Sequence, residues 1–305
     1  MRAPRQRSGA TGPRERPRGF GAQPRLSMTS TGIHVESVSP VIGAEISRID
    51  LSAPLAPEVV ETLHRALMTH LVLFFRDQTL SFDQHKAFGR YFGKLHIHPA
   101  APKDGDHPEI LVVHGDGAVK FVPGELWHSD VSCDAEPPMG SILRIEQVPT
   151  SGGDTLFASM YAAYEALSDR MQRLLGELTA LHDGQQYYVG RYGAGNLRDG
   201  GYPSAEHPAV RTHPVTGRRA LYVNEGFTTG FKELKPAESD AVLALLLRHC
   251  AAPEFQCRFR WRQNSMAFWD NRCTQHHAIW DYYPQIRHGY RVTIQGDRPF
   301  YDAST

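Results

Sequence analysis

His128 and Asp130 lie two positions apart in the segment ELWHSD (125–130), and both side chains are of types that bind metals. If this segment is an extended strand, the two side chains leave the same face and could bind one ion together. The pair alone is weak evidence, because such triplets occur by chance and exposed histidines and aspartates are usually only solvated.

A second polar group lies near the C-terminus in WDNRCTQHH (269–277), where His276 and His277 are adjacent. One histidine from this group would complete a 2-His-1-carboxylate triad, whose open positions suit non-haem Fe(II) with a co-substrate and O₂. On a regular strand only one of the two histidines can face the ion. The same ligand types also suit zinc, so the residues alone leave the metal undecided.

Arg287 and Arg291 follow at an even spacing, so on one regular strand both guanidinium groups project from the same face. The neighbouring Tyr290, Val292 and Ile294 indicate a strand covered on both sides, where unpaired cations would be costly. Two arginines that face one cavity suit two acidic ligands. The alternative is a pair of surface arginines.

The composition indicates a globular protein with no general electrostatic attraction to polyanions. The 305 residues include 41% hydrophobic and 22% charged side chains, and 33 basic residues balance 33 acidic ones. A net charge of zero argues against general attraction to nucleic acid or to a membrane surface, and no apolar run is long enough to span one. Four cysteines without a C-x-x-C pair suggest reduced thiols in a cytoplasmic protein.

Residues 1–27 form an extension rich in Arg, Pro and Gly that has few large apolar groups, and they are expected to be disordered. An organelle transit peptide is one alternative, but the extension has no amphipathic periodicity. An extension before an internal start at Met28 is the preferred interpretation. Residues 28–305 are expected to form a single domain.

Short β-like runs separated by turn residues dominate the rest of the chain. Helical spacing is limited to 57–71, 82–92, 161–178 and a segment after Pro236. The excess of β-like runs over helical segments predicts a mainly β protein with flanking helices. It favours a sandwich or jelly roll over a wound βαβ sheet. The predicted strands are two short ones within 32–51, LVLFF (71–75), EILVVH (109–114), GSILRIEQV (140–148), GDTLFA (153–158), ALYVN (220–224), CRFRWR (257–262), SMAFWD (265–270) and YRVTIQG (290–296).

The glycine-bearing stretch GRYGAGNLRDGG (190–201) does not fit a dinucleotide-binding fingerprint. That fingerprint needs a preceding strand, a following helix and a particular glycine spacing, whereas the flanks here are polar. A surface loop that could act as a lid is the better interpretation.

From about Gly32 to Asp302 the chain resembles the taurine dioxygenase family of Fe(II)- and 2-oxoglutarate-dependent oxygenases. The resemblance implies a double-stranded β-helix, that is, a jelly roll with a cupin-like core. The segments that carry it are FFRDQ (74–78), FGKLHIHP (92–99), WHSDV (127–131), GGDTLFASMYAAYEALS (152–168), HPAVRTHPVTG (207–217), NEGFTT (224–229), WDNRCTQHHA (269–278) and GDRPFY (296–301).

The resemblance also implies roles for individual residues. Iron would be bound by His128, Asp130 and His276, with His277 as the alternative if the strand register slips by one residue. The distal carboxylate of 2-oxoglutarate would be bound by Thr155 and Arg287. The residues expected to contact the substrate are His98, Val131 through its backbone, Tyr188, Phe227 and Arg291, of which Arg291 would bind a sulfonate or sulfate group.

Two departures from the taurine enzymes concern this substrate pocket. Gly124 stands where they carry Asn, and Ala101 stands where they carry Tyr, so two polar contacts to a small substrate are lost. The expected reaction is hydroxylation of taurine or a related alkyl sulfonate with Fe(II), 2-oxoglutarate and O₂, releasing sulfite and an aldehyde. An alkyl sulfate or another small acid is the alternative substrate.

A non-catalytic jelly-roll protein that binds a metal or ligand is the alternative from another class. The expected partner is a small anionic molecule, with neither nucleic acid nor membrane. By the same resemblance, a dimer or tetramer is expected.

Overall fold

The structure is a computed structural model of the chain, and it describes residues 31–98, 105–118, 124–189 and 201–304. The predicted disorder of residues 1–27, Ala101 and all but the last residue of the predicted lid at 190–201 lie outside these ranges.

A large mixed sheet forms one layer of the fold. Its strands follow the order β1-β2-β3-β14-β6-β16-β4, and β5 pairs with β16 beside β4. All pairings are antiparallel except that of β2 with β3. The strands are β1 (His34–Ser37), β2 (Ala44–Ser47), β3 (Val72–Phe75), β4 (Leu95–His96), β5 (Ile110–Gly115), β6 (Gly140–Gln147), β14 (Ser265–Asp270) and β16 (Arg287–Ile294).

Smaller antiparallel sheets form the rest of the β structure. One has the order β13-β7-β15 and another the order β12-β8-β9, while β10 and β11 form a hairpin. Several of these strands were not predicted, because they are short and largely polar. The strands are β7 (Thr155–Ser159), β8 (Thr179–Asp183), β9 (Ser204–Pro208), β10 (Val210–Thr212), β11 (Arg219–Leu221), β12 (Thr228–Phe231), β13 (Gln256–Phe259) and β15 (Thr274–Ala278).

Alternating residues of β3 contribute to two separate apolar cores. Phe74 faces the smaller sheet, where it stacks on Phe259 of β13 with ring centroids 4.1 Å apart and meets Phe157 of β7 edge-on. Phe75 faces the other way and packs against Phe88 of a helix. Each fully buried phenylalanine contributes about 1.5–3 kcal/mol, so β3 is stabilised from both sides.

Six α-helices occur among the described residues, and the first two cover the outer side of the large sheet. The second begins at a capping box, in which the Ser81 hydroxyl accepts from Gln84 N and the Gln84 side chain accepts from Ser81 N. The helices are α1 (Pro57–His70), α2 (Phe82–Arg90), α3 (Met160–Glu165), α4 (Asp169–Gly176), α5 (Gly184–Tyr188) and α6 (Pro236–Cys250).

The single helix predicted over 161–178 is wrong, because the structure divides it into α3 and α4. The hydroxyl of Ser168 accepts from Met171 N and starts a new helix. Leu178 lies beyond the end of α4 and packs into the core. The prediction of a mainly β protein with flanking helices is confirmed.

The expectations about the cysteines and about membrane-spanning segments can be compared with the described residues. All four cysteines, Cys133, Cys250, Cys257 and Cys273, are buried thiols, and none of them forms a disulfide within the described residues. Within the described ranges, no helix combines the length and the apolar character that crossing a membrane requires.

Candidate active site

The backbone of β15 holds two histidines of the site side by side. His276 N donates to His128 O at 2.9 Å, and His128 N donates to His276 O at 3.1 Å. This isolated bridge places the two imidazole rings 4.1 Å apart between centroids. The position of His128 is therefore fixed through the sheet that contains β7 and β15.

The expectation of a regular strand through His128 and Asp130 is wrong. Only His128 pairs with a neighbour, and a turn begins at Asp130. Val131 has a φ of 51°, in the left-handed region that side chains with a branched Cβ rarely adopt. This turn, rather than strand alternation, carries the Asp130 carboxylate toward the two histidines.

Three potential ligand atoms converge in the buried interior. Asp130 Oδ1 lies 3.5 Å from His128 Nε2 and 3.9 Å from His276 Nε2, and all three residues are at most 6% exposed. One ligand atom of each residue lies within 4.8 Å of the other two. Metal–nitrogen bonds of about 2.0–2.1 Å allow two ligand atoms of one ion to be up to about 4.2 Å apart, so both distances to the carboxylate fit a shared ion.

His277 has the opposite orientation. It is partly exposed and stacks against Trp127, with ring centroids 5.5 Å apart. Alternation along β15 therefore separates it from His276, as expected for a regular strand.

The protonation states of Asp130 and His276 favour a cation between the three residues. His128 donates from Nδ1 to Leu126 O at 2.8 Å, so its Nε2 is the nitrogen that faces Asp130. Burial lowers the pKa of His276 well below its usual value, and His128 lowers it further. Burial raises the pKa of Asp130, but Arg291 and His276 outweigh this effect and hold it well below its usual range. At neutral pH the cluster offers a carboxylate and a neutral His276 imidazole.

A hydrogen-bond network that sequence inspection missed holds the carboxylate. The Ser141 hydroxyl donates to Asp130 Oδ2 at 2.6 Å, and Asn271 Nδ2 donates to Ser141 Oγ at 3.0 Å. Asn271 Oδ1 also accepts from Asp130 N and from Trp269 Nε1. Asn271 lies within the quoted WDNR segment, which was the available signal, whereas nothing in the sequence marks Ser141.

Thr155 and Arg287 form a second polar group in the same cavity. Arg287 donates to Gly153 O at 3.1 Å and to Thr155 Oγ1 at 3.4 Å. Thr155 Oγ1 also accepts from Trp261 Nε1 at 2.9 Å, so its own hydrogen is directed toward another acceptor. Burial lowers the pKa of Arg287 to about 10, with Tyr282 and Asp154 acting against it, so the group is still a cation at neutral pH.

Arg291 lies in the same cavity and contacts one of the three candidate ligands, Asp130. Its Nη1 donates to Asp130 Oδ1 at 2.6 Å, while its Nε is buried without a hydrogen-bond partner among the described residues. A buried donor without a partner is costly, so this Nε favours an additional acceptor. Arg287 and Arg291 both line the cavity even though the register of β16 shifts between His288 and Gly289.

Aromatic residues from α5 and from the turn before β12 also line the cavity. Tyr188 and Phe227 are 1% exposed, and their rings lie 5.6 Å apart. His98 meets Tyr188 edge-on at 5.9 Å, and Val131 also lines the cavity. Tyr187, which sequence inspection missed, stacks on His128 at 5.5 Å and accepts from Gly124 N at 2.8 Å.

The cavity contains about 600 Å³ of space between atoms, part of which is open to solvent. Asp130 is the one acidic side chain among its described lining residues, which include two arginines. The arrangement therefore fits a divalent cation beside two anionic groups, one near Arg287 and one near Arg291.

A second buried group, made of His213, Asp270 and Cys273, also brings ligand-type atoms together. Its atoms already have partners: Arg272 donates to both oxygens of Asp270, and His213 uses Nε2 toward Asp270 and Nδ1 toward backbone N–H groups. Burial raises the pKa of Cys273 well above its usual value, and Asp270 raises it further, so the thiol stays protonated. This group stabilises the loop that carries Asn271.

Comparisons with known proteins agree with this geometry. The family model described as "Taurine catabolism dioxygenase TauD, TfdA family" matches residues 34–293. An "Alpha-ketoglutarate-dependent sulfonate dioxygenase" of Saccharomyces cerevisiae is 32% identical over 88% of this chain and 68% of its own length. An "Alpha-ketoglutarate-dependent sulfate ester dioxygenase" of Pseudomonas putida is 34% identical over 88% of this chain and 91% of its own length.

Among solved structures, a taurine dioxygenase from Burkholderia xenovorans superposes with a TM-score of 0.76 and 37% identity. The match covers 88% of this chain and 92% of that one, which confirms the predicted jelly roll. The chain belongs to the TauD, TfdA family and is an alpha-ketoglutarate-dependent dioxygenase, an enzyme that uses Fe(II), 2-oxoglutarate and O₂.

Proposed function

We propose that this enzyme hydroxylates a small sulfonate or sulfate ester at the carbon next to the sulfur-bearing group. In this proposal His128, Asp130 and His276 bind Fe(II), and Thr155 and Arg287 bind the distal carboxylate of 2-oxoglutarate. Arg291 binds the sulfonate or sulfate. The observation that carries the assignment is the buried Nε of Arg291, a donor without a described partner that lines the same cavity as the three ligands.

Bound at this site, Fe(II), 2-oxoglutarate and O₂ supply the oxidising chemistry for C–H hydroxylation. The protein's contribution is to hold the reactants in position. Arg287 presents two donors that match the geometry of a carboxylate, and the Thr155 hydroxyl adds a third. Arg291 sets the distance between the substrate anion and the three ligands.

The product is unstable because the hydroxyl group is added to the carbon that bears sulfur or the ester oxygen. A sulfonate hydroxylated there breaks its C–S bond to give sulfite and an aldehyde. A sulfate ester hydroxylated there breaks its C–O bond to give sulfate and an aldehyde. The two substrate classes are therefore distinguished by the sulfur product.

The walls of the cavity favour an uncharged tail on the substrate. Tyr188, Phe227, Leu111 and Val113 line it, and Asp130, which already pairs with Arg291, is the one carboxylate among the described lining residues. Taurine carries an ammonium group that would need an acceptor there. An alkyl or aryl sulfonate, or the corresponding sulfate, fits this wall better than taurine.

A substrate panel tests the proposal. The iron-loaded enzyme with 2-oxoglutarate and O₂ is given taurine, alkyl sulfonates, aryl sulfonates and alkyl sulfates, and succinate, sulfite and sulfate are measured. We expect succinate formation coupled to sulfite or sulfate, with higher kcat/KM for uncharged tails than for taurine. Coupled turnover of a sulfur-free acid, with none for any sulfonate or sulfate, would contradict the proposal.

The variant Arg291→Gln tests the role of the anion-binding residue. We expect its KM for the best sulfur substrate to rise at least about ten-fold, since a charge-assisted hydrogen bond contributes about 1.5–3 kcal/mol. Arg291 also contacts Asp130, so its loss could disturb iron binding. The visible absorption band of the Fe(II)–2-oxoglutarate complex is therefore recorded first, to check that the variant still forms this complex. Arg291→Lys is the second variant, and Arg65→Gln, on the exposed face of α1, is the matched control.

A further inference from the structure

Two histidines meet on the outer face of the large sheet, away from the catalytic cavity. His288 of β16 lies directly opposite His114 of β5, in the antiparallel register that also pairs Arg287 with Gly115. The buried residues Arg287 and Arg291 line the cavity, so the partly exposed His288 between them points to the other side of the strand. The pair is therefore separate from the metal ligands described above.

The two imidazoles face each other through the same type of nitrogen. His114 Nδ1 lies 3.1 Å from His288 Nδ1. His114 Nε2 lies 3.1 Å from Asp116 Oδ2, and His288 Nε2 lies 3.0 Å from the Tyr290 hydroxyl. Each ring thus has an oxygen partner at its Nε2, and the two Nδ1 atoms lie next to each other.

The hydrogen bonds define the tautomers of the neutral pair. A carboxylate only accepts, so His114 must donate from Nε2 to Asp116 and have a lone pair on Nδ1. His288 then donates from Nδ1 to His114 and accepts from Tyr290 at Nε2. If the His288 hydrogen moves to Nε2 and the Tyr290 hydroxyl rotates, both Nδ1 lone pairs become available without the loss of a proton.

This second tautomeric state has the geometry of a metal site. Two bonds of about 2.0–2.1 Å that meet at a tetrahedral angle separate their nitrogens by about 3.3–3.4 Å, only slightly more than the observed separation. Asp116 would orient His114 as carboxylates orient metal-binding histidines in many proteins. The side chain of His114 is 39% exposed, so water can reach the remaining coordination positions.

We propose that His114 and His288 bind a divalent transition metal at a second, peripheral site of this enzyme. Two imidazole donors with water suit Zn²⁺, Cu²⁺ or Ni²⁺ better than they suit Mg²⁺ or Ca²⁺, which prefer oxygen ligands. With two protein ligands the site binds more weakly than the three-ligand cluster.

Zinc stoichiometry tests the proposal, with Zn²⁺ as the probe and equilibrium dialysis followed by metal analysis as the measurement. The wild-type protein should bind two equivalents. His288→Gln and His114→Gln, which change different strands, should each bind one, and His128→Gln/His276→Gln should bind the peripheral one. The combination of His288→Gln with that double variant should bind none.

Further variants separate this site from general zinc binding by histidines. His34→Gln, a partly exposed histidine on β1, should retain both equivalents. Asp116→Asn should weaken the peripheral site about ten-fold or more without changing the other, as loss of a residue that orients a ligand does elsewhere. Circular dichroism checks that each variant is folded. A wild-type protein that binds one equivalent, or a second equivalent that survives both His114→Gln and His288→Gln, would overturn the proposal.

Discussion

His128 and His276 donate backbone hydrogen bonds to each other, with N–O distances of 2.9 and 3.1 Å, although they are far apart in the chain. Side chains on directly opposed residues are held at a separation set by the strands rather than by rotamer choice. Two of the three expected iron ligands are therefore positioned by backbone hydrogen bonds. The position of Asp130, which lies in the turn, depends on other contacts.

Ser141→Ala should weaken Fe(II) binding while the protein stays folded. The substitution removes the donor to Asp130 Oδ2, and similar losses around metal sites reduce affinity about 10–100-fold. Titration of the apo protein with Fe(II) under anaerobic conditions measures this affinity. Ser239→Ala is the matched control, since Ser239 is also buried and hydrogen-bonded but lies on α6. Equal iron affinity in Ser141→Ala and wild type would argue against a positioning role.

Arg287→Lys should raise the KM for 2-oxoglutarate by about 10–100-fold, because a point charge replaces a fork that can donate two hydrogen bonds to a carboxylate. Succinate formation at varied 2-oxoglutarate measures the change, and the KM for the sulfur substrate should change much less. The exposed Arg65→Lys serves as the control. A selective rise in the KM for the sulfur substrate would instead indicate that Arg287 binds that substrate and Arg291 binds 2-oxoglutarate.

The protein should lose stability as the pH falls below about 6.5. Burial lowers the pKa of His85 and His182 to about 3 and that of His207 to about 4. Because the unfolded chain binds these protons first, each histidine costs up to about 1.4 kcal/mol per pH unit from about 6.5 down to its folded-state pKa. Urea unfolding at several pH values between about 7 and 5 measures the slope.

His85→Gln should reduce this slope by up to about 1.4 kcal/mol per pH unit, since one buried histidine no longer takes up a proton on unfolding. The glutamine amide can replace the contact of His85 Nε2 with Ile142 O. An unchanged slope would show that other groups cause the acid sensitivity.

Removal of the catalytic metal should lower the melting temperature. An ion at one hundred times its dissociation constant stabilises the folded state by about 2.7 kcal/mol, or about 5 °C for a domain of this size. Differential scanning calorimetry with Mn²⁺ or with a chelator measures the shift. His276→Gln should lose most of it, whereas His277→Gln, which faces the other side of β15, should retain it.

The sequence predicted those parts of the site that depend on residue type and strand alternation. His276 and His277 face opposite sides because β15 is regular, and Arg287 and Arg291 meet in one cavity. The turn at Asp130 was not predicted, since it depends on a hydrogen bond from the Ser141 hydroxyl to Asp130 and on one from Asp130 N to Asn271 Oδ1. Both partners come from distant parts of the chain.

The secondary-structure predictions also succeeded where the sequence pattern is clear and failed where it is not. Clear apolar patterns such as those of β3 and α1 were found, whereas β8, β9 and α5 contain many polar residues and were missed. The break between α3 and α4 was missed because the leucine pattern continues across Ser168, and a local cap overrides it there.

The strand β16 has chemically different side chains on its two faces, with Arg287 and Arg291 inside and His288 outside. Deletion or insertion of one residue in the middle of this strand would turn every later side chain of β16 to the opposite face. Changes in chain length should therefore be far less tolerated within β16 than in the connection before it, residues 279–286. Deletion scanning across this boundary would locate the limit to within one residue.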